Sequence, residues 1–201
     1  MRWPRITPRM LFWAAVAVLA SAPAWIVKHP PLQDMPFHLA TLRVVHDYNN
    51  PVFHFTDTYV VDLLHTNYVL YYVVGSALAF LLGVKYANVA MLCLYLGGTP
   101  LAIRELLVSL GKDERLALFS IPLLVNVMFM YGLLPYVLGF PIMFFALAAA
   151  VRWIEAPTRN RGILLGVLAF ALFFAHVLPF ALFGIGFAAI FPWQRPHQWI
   201  R

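Results

Sequence analysis

The sequence predicts an all-α fold: a polytopic membrane helical bundle with an outward loop that contains short amphipathic helices. Three observations predict it. Of 201 residues, 63% are hydrophobic and only 11% charged, and the mean hydropathy is +0.80. A soluble domain is about half apolar and about a quarter charged. The apolar residues are also gathered into five stretches free of Asp, Glu, Lys and Arg: 10–27, 68–84, 86–103, 116–151 and 162–194. Finally, the basic residues fall between these stretches. Lipid is the solvent for such a chain, and membrane lipid is its first expected partner. The net charge of +6 forms no basic patch, so no nucleic-acid partner is expected. A lone Cys93 excludes an intrachain disulfide and a zinc site built on thiolates.

The elements follow in order. A helix rises about 1.5 Å per residue, so some 18 residues cross most of a 30 Å hydrocarbon core. Segment 10–27 is the expected first span. MRWPRITPR with LFWAAVAVLA and Ala22-Pro23-Ala24 also fits a signal peptide with its cleavage site, but the apolar run continues through Val27, which favours a retained anchor. Segment 68–84 is short and opens with Tyr68, Tyr71 and Tyr72, residues that favour the membrane boundary, so a re-entrant or tilted piece is expected there. The remaining spans are expected within 86–191. Segment 116–151 is long enough for two helices, with Gly132 and Pro135 of YGLLPY supplying the turn. In the last stretch Pro179 is the expected kink.

Sidedness follows from the arginines. Arg2, Arg5 and Arg9 precede the first span, Arg104, Lys112 and Arg115 share one short loop, and Arg152, Arg159 and Arg161 share another. The positive-inside rule puts all three groups in the cytoplasm. That makes the N-terminus cytoplasmic and segment 28–67 outward, provided that 68–84 does not cross. Helix 162–180 then brings His176 to the same outer surface.

The outward loop is unusual in content. It holds Asp34, Asp47, Asp57 and Asp62, and five of the seven histidines, with only Lys28 and Arg43 basic. Pro36 suits the first position of a helix. A short helix is therefore expected from Pro36 to about Tyr48, stopped by Asn49-Asn50-Pro51. Asp34 then lies ahead of its N-terminus, where backbone N–H groups favour a carboxylate. Leu39, Leu42 and Val45 form the expected apolar face, with His38 and Arg43 off it. VFHFTDTYVV reads as an extended piece or a loop that dips into the interface.

With LQDMPFHLA after a first membrane helix, then amphipathic helices and many spans, the chain resembles the GT-C superfamily of membrane glycosyltransferases. GLLPYVLGFPIMFFALAAAVRW and AHVLPFALFGIGF resemble that family's outer turn and the helices around it. The likeness is one of layout, covers about residues 10 to 190, and corresponds to the N-terminal part of such an enzyme. Asp34 stands without the second acid many of these enzymes carry beside it, and YGLLPY has no acid of its own.

The resemblance implies transfer of a sugar from a polyprenyl-phosphate donor, with Asp34 as general base toward the acceptor hydroxyl. His38 would orient Asp34, hold phosphate or ligate a divalent metal ion. Lys28, Arg43 and His176 would contact phosphate, and Tyr131 would line the cleft. Plainer readings stand beside these. Asp34 serves equally as a helix-start residue, and His38 as an interface side chain. A metal cluster of Asp34, His38, His46 and His54 has no recognised ligand spacing. The alternative function is a non-catalytic membrane subunit whose outward loop docks a protein partner. A haem protein is disfavoured, because only His176 lies within a span.

Overall fold

The computed structural model describes residues 6–27, 30–63 and 65–193. Among these residues it is helical, without strands. Eight α-helices are present: α1 (Pro8–Ile26), α2 (Met35–His46), α3 (Val69–Leu96), α4 (Gly98–Ser109), α5 (Val127–Met130), α6 (Leu134–Glu155), α7 (Arg159–Ala175) and α8 (Val177–Ile190). The helix starts carry the residues expected of them. Thr7 caps α1, Asn126 caps α5 and Thr158 caps α7, each through a side-chain oxygen that accepts a backbone N–H of the first turn. Among the described residues, three helices are long and apolar enough to cross a membrane: α1, the run Val69–Ser109, and α6; α8 is shorter and apolar.

Segments 68–84 and 86–103 meet at a sharp break. Helix α3 is two helical pieces joined at Gly83, whose φ of 74° and ψ of 156° lie outside helical space. The Tyr71 hydroxyl donates to Asn88 Oδ1 across that break. In a straight helix residues 71 and 88 would be about 25 Å apart, so the chain turns back on itself at Gly83. Leu42 of α2 is fully buried over the fold, against Ala79, Val84 and Ala87.

Segment 116–151 differs from the expected pair of helices. Its first half is a 3₁₀ helix, Glu114–Leu123, followed only by the four-residue α5. Pro122 has no N–H to give and crowds the carbonyl four residues earlier, which disfavours an α-helix there. A 3₁₀ helix rises about 2 Å per residue, so ten residues still travel about 20 Å. In the last stretch the break lies at His176, not Pro179. A proline's ring excludes helix at the residue before it or clashes one turn back; Pro179 sits in the first turn of α8, where no N–H is needed.

The contacts gather the helix ends into two groups. At one end Arg9 Nη2 meets Glu114 Oε2 at 2.6 Å, and Arg104 Nε meets the same oxygen at 2.7 Å. Glu105 joins Arg104 to Arg152, each at 2.5 Å. Arg161 Nη1 donates to the Arg152 carbonyl at 2.7 Å. The Arg9 hydrogen bond foremost holds the Glu114 carboxyl down, to about 2. This end therefore gathers the start of α1, α4, the 3₁₀ helix, the end of α6 and the start of α7. Between the ends, α1 crosses α3 so closely that a Cβ on Gly97 would lie 2.8 Å from the Ala17 carbonyl. A Cβ on Gly139 would lie 2.7 Å from Pro179, where α6 meets α8. The opposite end gathers α2, the start of α3, the turn before α6 and the α7–α8 break.

Candidate functional site

Asp34 is the N-cap residue of α2, at φ −92° and ψ 0°, and its carboxylate makes no capping hydrogen bond. The backbone around it is fastened to a distant turn. The Gln33 N–H donates to the Met130 carbonyl at 3.1 Å, and the Asp34 N–H to the Tyr131 carbonyl at 3.0 Å. Gly132 completes the turn at φ 76°, a region that favours glycine. A Cβ there would lie 2.8 Å from the Asp34 nitrogen. Glycine is required at 132 both for its backbone angle and for the close approach of α2.

His38 lies one turn into α2 and is 8% exposed. This corrects the sequence-based face: Met35, His38 and Leu42 form the buried stripe, and Phe37 is left outward, 67% exposed. His38 Nδ1 and the Tyr72 hydroxyl are 2.7 Å apart, and the Gly132 backbone lies near the ring. Burial pushes His38 below its ordinary value, partly opposed by the nearby Asp34 charge and by Gly132. His38 thus joins α2 to α3 through Tyr72, beside the Gly132 turn.

His176 comes to the same end from the other side of the chain. It caps α8: the Leu178 N–H donates to His176 Nδ1 at 3.1 Å. Its ring lies between two tyrosines, with centroids 4.7 Å from Tyr68 and 5.1 Å from Tyr136. A cleft of about 210 Å³ is lined by His38, His176, Tyr68, Tyr72, Tyr136 and Phe37, with Leu133 and Pro135 at its floor. A second, apolar cavity of about 340 Å³ lies between α2 and residues 59–66, and shares Phe37 and Tyr72 with the cleft.

The other expected site residues fare differently. Arg43 Nη1 pairs with Asp47 Oδ2 at 2.6 Å and its guanidinium sits 5.7 Å over the Phe53 ring. It does not line the cleft, so phosphate contact by Arg43 is not what this geometry offers. Tyr131 contributes its carbonyl to Asp34, while the residue itself is 51% exposed and outside the cleft lining. Lys28 lies outside the described residues. His54 and His65 sit beside their own neighbours, Asp57 at 3.5 Å and Asp62 at 2.7 Å. No group of three or more His, Cys, Asp or Glu side chains suited to a metal ion occurs among the described residues. Those residues therefore supply no set that fits a divalent ion. Sequence reasoning missed Tyr72, Tyr136 and Gly132. The cluster Tyr68, Tyr71 and Tyr72 was the available signal, but tyrosines at a membrane boundary are common enough to hide a site.

No family model, curated protein or solved structure matches this chain.

Proposed function

We propose that this chain is a GT-C-like membrane glycosyltransferase, or the N-terminal part of one, which transfers a sugar from a polyprenyl-phosphate donor. The observation that carries the reading is the convergence of three elements. The Asp34 backbone is tied to the Tyr131–Gly132 turn, His38 faces the cleft from α2, and His176 faces it from the α7–α8 break. The Asp34 carboxylate, without a capping bond, sits outside the cleft lining, at the start of the helix that carries His38 into it. The positive-inside rule supports the expected orientation: the Arg9, Arg104, Arg152 and Arg161 end belongs in the cytoplasm, and the cleft end faces outward.

In this reading the acceptor hydroxyl gives its proton to an Asp34 oxygen as its own oxygen bonds the anomeric carbon. The bond from that carbon to the donor phosphate breaks, and polyprenyl phosphate leaves with the electron pair. His38 acts as a positioning residue, because its hydrogen bond with Tyr72 holds α2 against α3. Glycosyl transfer in membranes, with a labelled polyprenyl-phosphate sugar, compares wild type with Asp34→Asn and His38→Ala. Loss of turnover is expected in the first and a partial loss in the second. Equal activity in all three sinks the reading.

One observation favours the alternative of a non-catalytic subunit. Val60, which lines the cavity against α2, is 90% exposed, and Val52 nearby in the sequence is 77% exposed. A protein partner seated there would cover them. Cross-linking from position 60 to a second protein, with no transfer activity, is the outcome that this alternative requires.

A further inference from the structure

The cleft between α2 and the α7–α8 break is walled by rings and carries no cation. Phe37, His38, Tyr68, Tyr72, Tyr136 and His176 line it, and no Lys or Arg does among the described residues. Nearly all of its exposed wall is carbon. The rings stand at different tilts. Tyr68 and Tyr136 lie at 52° and 74° to the His176 plane. On the α2 side, Phe37 and Tyr72 meet the His38 ring at 69° and 35°. Rings at such angles surround a space instead of stacking into one block. Neither imidazole adds positive charge. His176 Nδ1 accepts the Leu178 N–H at 3.1 Å, so that nitrogen carries no proton. Burial holds His38 below its ordinary value, which leaves it neutral at neutral pH. Two other basic side chains are engaged elsewhere, Arg43 with Asp47 and Lys85 over the Tyr86 ring. The charge that does act on His38 is the negative one of Asp34, whose carboxylate makes no capping bond.

We infer that this cleft binds a compact organic cation, a trimethylammonium group, held among the rings of Tyr68, Tyr72, Tyr136 and Phe37. The face of an aromatic ring is its negative side, and it attracts a cation within about 6 Å of its centre. A quaternary ammonium has no N–H, so a carbon wall leaves none of its groups unpaired. An anion or a hydrated metal ion would instead meet walls that replace none of its bonds to water. At about 210 Å³ the cleft is smaller than the roughly 300–1,000 Å³ of sites for drug-sized molecules, which suits a ligand the size of a headgroup. The inference goes beyond the transfer reading and does not rest on it, because the Asp34 carboxylate lies outside the cleft lining.

The test uses the full chain in a neutral detergent, with ring-¹³C tyrosine and four probes at equal concentration. They are choline, hexyltrimethylammonium, methyl glucoside and neohexanol, which has the shape of choline without its charge. Choline is expected to shift the Tyr68 and Tyr136 signals. By calorimetry it should bind at least about fivefold more tightly than neohexanol, the size of a cation–π contribution. Tyr68 is 40% exposed, so its replacement should leave the melting temperature near that of wild type. Tyr68→Phe keeps a ring and should keep the choline affinity, whereas Tyr68→Leu should lose it about fivefold. Tighter binding of hexyltrimethylammonium than of choline would assign the cation to a lipid-like amphiphile; binding no tighter would assign it to a free small molecule. Neohexanol binding as tightly as choline, a response to methyl glucoside in place of choline, no response to either cation, or full affinity in Tyr68→Leu would each overturn the assignment. Choline binding with the expected pattern, in a protein without transfer activity, would leave this assignment standing and remove the enzyme reading instead. Transfer activity without choline binding would do the reverse.

Discussion

The Asp34 N–H and the Tyr131 carbonyl meet at 3.0 Å, and Gly132 lies so close behind that a Cβ would sit 2.8 Å from the Asp34 nitrogen. The carboxylate singled out in the sequence is therefore placed by a turn far along the chain. Gly132→Ala should disturb both partners. Alanine at positive φ is unfavourable by about 1 kcal/mol, and the clash with α2 adds to it, for a total of about 2 to 4 kcal/mol. Gly111 has φ 66° but open space where its Cβ would go, so Gly111→Ala should lose only the first part, about 1 kcal/mol. Thermal melts in detergent of the two variants check this, and equal losses would contradict the proposed close approach.

The Tyr72 hydroxyl is the partner of His38 Nδ1. Tyr72→Phe strands a buried ring nitrogen and should destabilise the fold by about 1 to 3 kcal/mol. His38→Gln keeps a polar group of similar reach and should lose less. The comparison of melting temperatures decides whether the bond or the ring volume matters.

His38 also makes a pH prediction. Its folded value lies below its ordinary one, burial being the main cause. The fold therefore favours the neutral ring. That contribution is fully present above about pH 6.5, the unfolded value, and is lost as pH falls from there toward the lower folded value. Stability measured between pH 8 and pH 5 should decline, and His38→Gln should flatten that part of the profile. An unchanged slope would remove His38 as the source.

Glu114 titrates in a separate window. Arg9 and Arg104 hold its carboxyl down to about 2. A depressed acid contributes stability above its unfolded value, here 4.5, and loses it as pH falls to about 2. Glu114→Gln should be less stable than wild type at neutral pH and should lack this acid-side decline. Denaturation scans from pH 5 to pH 2 distinguish the two.

Cysteine labelling tests the orientation. In a Cys93→Ala background, a cysteine at position 50 should react with an impermeant reagent added from outside. Cysteines at positions 110 and 156, beside the arginine end, should react only after the membrane is opened. Labelling of all three from one side would refute the two-ended bundle as a membrane orientation.

Particular elements show what could be read from residues alone. Pro36 and the preceding Asp34 announced α2 to within a residue or two, because proline's preference for a helix start is local. The inward face of α2 was not legible. Leu39, Leu42 and Val45 make one apolar stripe, and Met35, His38 and Leu42 make another that overlaps it. In a chain with both lipid and protein as neighbours, apolarity does not say which stripe packs on α3. The break at His176 was equally hidden. The proline signal was visible at 179, but a proline in the first turn of a helix moves the break ahead of itself.

Composition and the spacing of uncharged runs determined by themselves that the chain is helical and has helices apolar enough for a membrane. Those properties sum over many residues and depend on lipid as solvent, not on any one contact. Tertiary structure alone decided that α3 turns back at Gly83, that Arg43 pairs with Asp47, and that His38 and His176 share a cleft. These depend on which side chains meet across the bundle. A pairing of residues distant in the chain leaves no periodic trace in the sequence.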